Sequence, residues 1–256
     1  MQENDTAAAI SLFCWNIGNP SIERAKKQVE WLKNRGENFL ILTETKGSRG
    51  CRYMNDYFKN IGYNTIFPDM DSKEYGTIIA SKYALEKSEF TNNIDFLSTR
   101  VVAVNVVLPL GKTEIIGLYI PSRNANKDKI KRKKIFIEKV LNAIQNSSLF
   151  DFRIICGDFN ILEPNHYPHY SFFKDWEYGF YDGLLKVNMT DAFRYLNPNT
   201  REYSWIGKTG NGYRYDHFFV SNHMSKFIEK CFYDHLPQKK NLSDHSSMVL
   251  EIKSNI

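Results

Sequence analysis

The chain has no apolar run that approaches membrane-spanning length, so a bilayer-crossing helix is not expected. Cysteine is scarce: Cys14, Cys51, Cys156 and Cys231 are scattered, with no CxxC spacing. That pattern argues against a disulfide framework, and Cys14 and Cys156 sit in strand-like runs where a small buried thiol is the ordinary reading. No internal repeat, low-complexity stretch or linker interrupts the 256 residues. The opening Met1-Gln2-Glu3-Asn4-Asp5 is acidic, and Ala7 to Phe13 is too short and too polar in its flanks for a signal peptide. The expectation is a soluble, disulfide-free, cytoplasmic monomer without an obligate protein partner. It would form one domain over residues 1–256, with its core from about residue 10 to 253.

What is present is a globular composition. Hydrophobic residues make up 42% of the chain, enough for one large core or two halves sharing one. The net charge of +5 fits a polyanionic substrate without requiring one.

Apolar runs that end in polar groups recur along the chain. Ile10 to Trp15 reads as a strand ending at Asn16. Asn19-Pro20 then reads as a helix start, with Ile22, Ala25, Val29 and Leu32 on one face. Phe39 to Thr43 is a strand ending at Glu44, followed by a turn-like Thr45-Lys46-Gly47. Tyr53 to Asn60 reads as a helix, and Tyr63 to Phe67 and Thr77 to Ser81 as strands around a polar loop at Asp69 to Glu74. Thr99 to Leu108 and Thr113 to Ile120 form two strands joined by a turn, the second stopped by Pro121 after Tyr119-Ile120.

Asn126 to Lys134 carries six Lys or Arg in nine residues, and Ile130, Ile137, Val140, Leu141 and Ile144 put it on a helix. Such a run is ordinarily a solvated face. Phe152 to Cys156 is a strand buried on both faces that stops at Gly157-Asp158-Phe159-Asn160. The period of two puts Asp158 and Asn160 on one side of the chain. The same four residues also suit an ordinary turn. Leu162 to Tyr181 is aromatic and irregular, and its His166 and His169 lack the further ligands of a metal site. Asp191 to Leu196 reads as a short helix, Tyr203 to Ile206, Tyr213 to Ser221 and Ile228 to Tyr233 as strands, and Met248 to Ile252 as the last strand after Ser243-Asp244-His245. Hairpins alternating with helices point to two packed sheets flanked by helices, an α/β architecture.

Asn16, Glu44, Tyr119, Asp158 with Asn160, Asp216, and Asp244 with His245 all fall at or near strand ends. Buried carboxylates are costly unless paired or bound to a cation. If these ends converge, their oxygen and amide donors suit magnesium, or manganese, better than zinc.

The chain resembles the endonuclease–exonuclease–phosphatase superfamily, and within it the exonuclease III and apurinic endonuclease branch. The resemblance rests on Trp15-Asn16, Leu42-Thr43-Glu44-Thr45-Lys46, Tyr75-Gly76-Thr77, Leu118-Tyr119-Ile120-Pro121, Gly157-Asp158-Phe159-Asn160, Asp191-Ala192-Phe193-Arg194, Tyr203-Ser204-Trp205, Arg214-Tyr215-Asp216 and Ser243-Asp244-His245, in the family's order. Each motif is weak alone; the ordered set covers essentially the whole chain. Tyr119 marks the exonuclease III-like branch, since deoxyribonuclease I-like and phosphatase members have His there.

The resemblance implies a four-layer α/β/β/α sandwich of the deoxyribonuclease I type. It implies a Mg2+-dependent phosphodiesterase, with Mn2+ as a substitute, acting on nucleic acid, foremost DNA. Glu44 looks like the main metal ligand, with Asn16 and Asp244 nearby. Asp158 matches the residue that aligns or deprotonates the attacking water. Asn160 and His245 match donors to the non-bridging phosphate oxygens, Asp216 the carboxylate that orients the His, and Tyr119 a phosphate-contacting phenol. Lys46, Arg123, Lys131 and Arg214 are candidate nucleic-acid contacts, and the whole stretch Lys127 to Lys134 is expected along the backbone. Trp205, Tyr213 and Tyr215 are bulkier than the pocket residues of apurinic endonucleases and offer surfaces for bases of a frayed or single strand. Gly18 stands where relatives often have Asn or Asp, and Ser122 where many have Asn. RNA, a small or lipid phosphodiester, a phosphomonoester, or binding without catalysis are the alternatives.

Overall fold

The computed structural model describes residues 9–69, 73–147 and 152–254; the acidic opening stretch and residues 70–72 of the expected polar loop lie outside them. The first half runs β1 (Ile10–Asn16), α1 (Ile22–Leu32), β2 (Phe39–Thr45), α2 (Arg49–Asn60), β3 (Asn64–Ile66), β4 (Gly76–Ser81), β5 (Glu86–Lys87), β6 (Val101–Leu108) and β7 (Gly111–Tyr119). Next come α3 (Lys127–Asn146), β8 (Phe152–Asp158), α4 (Asp175–Lys186), β9 (Met189–Asp191) and α5 (Ala192–Leu196). The chain closes with β10 (Trp205–Ile206), β11 (Gly212–Tyr213), β12 (Asp216–Ser221), β13 (Ile228–Asp234), α6 (Leu236–Lys239) and β14 (Ser247–Ile252).

Two six-stranded sheets result, ordered β13-β14-β1-β2-β4-β3 and β5-β6-β7-β8-β12-β9, with β10-β11 as a separate ribbon. Each sheet has one parallel pair, β1 with β2 and β7 with β8, joined over α1 and α3 respectively. Both connections therefore return the chain to the same edge, and the C-terminal ends of those four strands lie side by side. The inner faces interdigitate: Leu12, Cys14, Ile41 and Leu250 of one sheet share a core with Val104, Ile115, Ile154 and Phe218 of the other. The outer face of the first sheet packs Phe13, Leu40 and Ile78 on Val29 of α1 and Met54 and Phe58 of α2. The outer face of the second packs Ile116, Leu118 and Phe219 on Phe136 and Val140 of α3 and Phe180 of α4. This is the expected four-layer α/β/β/α sandwich.

Local chemistry shifts several boundaries. Helix α1 starts two residues later than the Asn19-Pro20 pair predicts, because the Ser21 hydroxyl caps it by accepting from the Arg24 N–H. Helix α2 starts at Arg49, four residues before the expected Tyr53, because the Ser48 side chain caps it by accepting from the Cys51 N–H. The stretch from Leu162 to Tyr181 is irregular only to Lys174, the N-cap after which α4 begins at Asp175. The run Tyr213 to Ser221 is broken at Arg214-Tyr215, so β11 and β12 belong to different sheets. The four cysteines are all buried and free, and among the described residues no helix is long and apolar enough to cross a membrane.

Candidate active site

One row of side chains crosses three strands of the second sheet: Tyr119 is the register partner of Asp158, and Asp158 of Asp216. The first sheet brings Asn16 at the end of β1, Glu44 near the end of β2, and His245 just before β14. Hydrogen bonds stitch the two sets together. Asn16 Nδ2 donates to Glu44 Oε2 at 2.9 Å and to Asp158 Oδ2 at 2.8 Å. His245 Nδ1 lies 2.8 Å from Asp216 Oδ2, which turns Nε2 of the ring toward a cleft that His245 lines.

Two of these side chains sit on left-handed backbone. Glu44 has φ 54° at an irregularity in the β2–β4 pairing, its carbonyl accepting from the Asn19 N–H at 2.7 Å. Asn160 has φ 49°. Such conformations cost about 1–3 kcal/mol outside glycine and concentrate at functional sites. Gly157, between β7 and the cleft, is needed for a different reason: a Cβ there would lie 1.8 Å from the Leu118 carbonyl oxygen.

The cleft has a volume of about 250 Å3. Glu44, Tyr119, Asp158, Asn160 and His245 line one part of it, Arg123 and Lys133 another, and Phe172, Phe173, Trp205 and Tyr215 narrow it with aromatic rings. Glu44 also faces a second cleft, shared with Gly18, Arg24, Ser243 and Asp244. A larger cavity of about 530 Å3 opens around Glu163, His166 and Arg201 and contains none of the convergent strand-end groups.

Burial pushes the Asp158 carboxyl up to about 7, Asp216 adding to it while His245 and the Asn16 N–H pull it back. Burial alone would strip the His245 imidazolium of its proton, but Asp216 and then Asp158 hold the proton on up to about 10. Near neutral pH the site therefore pairs a cationic imidazole with a carboxyl poised to take a proton. Burial, followed by the Glu44 and Asp158 carboxylates, keeps the Tyr119 phenol protonated.

Asp158 is gripped at both oxygens. Its Oδ1 accepts from the Asn160 backbone N–H at 2.8 Å, and its Oδ2 from Asn160 Nδ2 at 3.1 Å as well as from Asn16. The second Asn160 amide hydrogen goes to the Ile120 carbonyl at 3.0 Å. Asn160 therefore clasps Asp158 rather than presenting a free amide to a phosphate, because both of its amide hydrogens are engaged. Asn16 is oriented by its own partners as well. Its Oδ1 accepts from the Gly18 N–H at 2.9 Å, so its nitrogen, not its oxygen, faces Glu44.

The donor set suits a hard cation that keeps most of its own water. Glu44 and Asp244 line one cleft and are both carboxylates, and magnesium is commonly held by one or two carboxylates plus substrate oxygens. Among the described residues no three His, Cys, Asp or Glu side chains form a closed metal site.

The expected substrate contacts fare unevenly. Trp205 lines the cleft, and its Nε1–H donates to Asp244 Oδ2 at 2.9 Å. Lys46 lies beside the site, its Nζ 4.1 Å from the centre of the Tyr75 ring, which packs on Tyr119. Lys131 is exposed on α3. Tyr213 stacks 5.2 Å from Tyr215 and 4.5 Å from Tyr170, one ring away from the cleft. Arg214 is a correction: fully buried, it donates to Asp191 Oδ2 at 2.6 Å and Glu163 Oε2 at 2.9 Å and cannot reach a ligand. Arg123 lines the cleft, but its guanidinium is engaged by Glu177 and by the Phe172 carbonyl at 2.7 Å. His166 takes the Arg214 backbone N–H on Nε2 and meets the Pro168 carbonyl through Nδ1, which leaves no nitrogen for a metal.

Lys133 is the residue the sequence pattern hides. It was grouped with the basic run, yet it is only 1% exposed. The signal was present, since Lys133 falls three, four and seven residues before the apolar Phe136, Ile137 and Val140 on the buried stripe of α3.

The model of the Endonuclease/Exonuclease/phosphatase family matches residues 13–245. The chain belongs to this family. No curated protein matches it significantly. Among solved structures, an AP endonuclease from Archaeoglobus fulgidus superposes with a TM-score of 0.79 at 22% identity, over 95% of this chain and 99% of that one. The 3′ phosphatase NExo from Neisseria, bound to product DNA hairpin, gives 0.80 at 19% identity, over 95% and 99%. The 3′-5′ exonuclease NExo from Neisseria meningitidis gives 0.79 at 20% identity, over 95% and 100%. These likenesses establish that the Endonuclease/Exonuclease/phosphatase member described here has the deoxyribonuclease I-like fold.

Proposed function

We propose that the chain hydrolyses phosphodiester bonds in DNA with the help of a divalent metal ion, as an endonuclease, a 3′ exonuclease or both. The observation that carries this reading is the pairing, in one cleft, of the His245–Asp216 couple with a clasped Asp158. Asp158 accepts a proton from the attacking water, its raised affinity matching that task near neutral pH. His245, cationic and oriented by Asp216, donates from Nε2 to a non-bridging oxygen and favours the extra charge of the transition state. Tyr119 keeps its proton and offers a second donor at the cleft wall. Glu44 and Asp244 would hold Mg2+ or Mn2+, which would neutralise phosphate charge and the leaving oxygen.

Nucleic acid is favoured by the exposed cations at the start of α3 and by solved neighbours that are an AP endonuclease and a 3′-5′ exonuclease. The rings of Phe172, Phe173, Trp205 and Tyr215 suit stacking on a sugar or base at an unpaired end. A 3′-phosphate terminus is the second substrate to test, since one neighbour is a 3′ phosphatase.

The deciding experiment incubates the protein with Mg2+ and a panel of supercoiled plasmid, abasic duplex, single-stranded DNA, 3′-phosphorylated DNA, RNA and a small phosphodiester. Cleavage of DNA that stops with a chelator is the expected result. Cleavage of RNA or the small ester alone would overturn the substrate class, and no metal-dependent hydrolysis of any of them would overturn the reaction.

A further inference from the structure

We infer that Lys133 is a positioning residue for the water-activating Asp158, acting through Asn160. The inference rests on the function proposed above. An ammonium group buried in a protein wall costs more than an apolar side chain of the same length unless it is paired and fully used. Lys133 is both. Its Nζ donates to Glu177 Oε1 at 2.6 Å and to the Asn160 carbonyl at 2.7 Å. Glu177 is fixed in turn by Arg123 and caps the first turn of α4 by accepting from the Lys174 N–H.

The carbonyl that Lys133 holds belongs to a residue on left-handed backbone, with φ 49°. Holding that carbonyl fixes ψ of Asn160 and so restrains the Cα from which its N–H reaches Asp158 Oδ1 and its Nδ2 reaches Oδ2. The Asn160 side chain is anchored besides by the Ile120 carbonyl. The order is therefore α4 and Arg123 holding Glu177, Glu177 holding Lys133, Lys133 holding the Asn160 carbonyl, and the N–H and side chain of Asn160 aiming Asp158.

A double-mutant cycle tests this on the best substrate of the panel. K133M should lower kcat about 10-fold or more while KM stays within about threefold, because the substrate itself is not touched. In an N160A background the same substitution should change kcat by less than about twofold, since the path through Asn160 is already cut. K133R should recover most of the lost rate. Equal losses in both backgrounds would overturn the inference and show that Lys133 meets the substrate or merely supports the fold. An unchanged kcat in K133M would overturn it as well. Thermal melting accompanies each variant, and K133Q replaces K133M in the cycle should the latter not fold. An inactive wild type would overturn the proposed function and this inference together, whereas an active wild type with additive losses would overturn only the role of Lys133.

Discussion

Nδ1 of His245 and Oδ2 of Asp216 lie 2.8 Å apart, one residue contributed by each sheet. Among the described residues the other oxygen of Asp216 is buried without a hydrogen-bond partner, so the carboxylate is committed to the imidazole. D216N keeps the shape and removes the charge that holds the ring protonated and oriented. It should cost on the order of 10²-fold or more in kcat, as should H245A. The double variant should lose little beyond H245A alone, because the two act as a unit. Multiplying losses in steady-state assays would contradict the arrangement.

The basic run on α3 divides into two populations. Lys131, Arg132 and Lys134 are exposed, while Lys133 faces inward. Reversing the three exposed charges should weaken DNA binding and flatten the dependence of log K on log salt by up to about three units. Binding measured across a salt series checks this. An unchanged slope would make that face a solvated surface only.

Trp205 belongs to the aromatic wall and to Asp244 at once. W205F preserves a ring in the cleft but deletes the donor to the carboxylate. Groups that orient a metal ligand are commonly worth 10–100-fold in affinity. The Mg2+ concentration for half-maximal activity should accordingly rise about 10-fold in W205F, with melting unchanged. A metal titration showing no shift would separate Asp244 from the metal.

Glu163 bridges Arg194 and Arg214 beneath the larger cavity. Burial opposes its ionisation, but the Arg194 hydrogen bonds and the Arg214 charge prevail and bring its carboxyl down from 4.5 to about 2. A depressed folded-state pKa gives stability that is complete above the unfolded value and is lost as pH falls through the folded one. The stability gap between wild type and E163Q should therefore shrink as pH drops from about 4.5 toward 2. Melting curves across that range test it; a constant gap would mean Glu163 does not titrate there.

How much of this was readable beforehand depends on whether the signal is local. Strand ends such as Asn16, Glu44 and Asp158 are legible because an apolar run stopping at a polar residue is a property of a few neighbours. The sandwich is legible because the order of hairpins and helices restricts how sheets can be layered. Arg214 was misread because nothing near it in sequence discloses Glu163 and Asp191, which lie 51 and 23 residues away. Lys133 was masked by its cationic neighbours, although its helical phase marked it as inward. The orientation of the Asn16 and Asn160 amides is not legible in sequence, since it is decided by partners such as the Gly18 N–H and the Ile120 carbonyl.

The Asn16 amide spans from Glu44 to Asp158, and so from one sheet to the other. The chemistry thereby acts as a gauge of alignment. A shear of one sheet along the other by a single strand step, about 3.3 Å, would part every such cross-sheet contact while leaving each ladder intact. Loss of turnover under mild denaturant should then run ahead of loss of secondary structure, and activity becomes the more sensitive report of how the two sheets are seated.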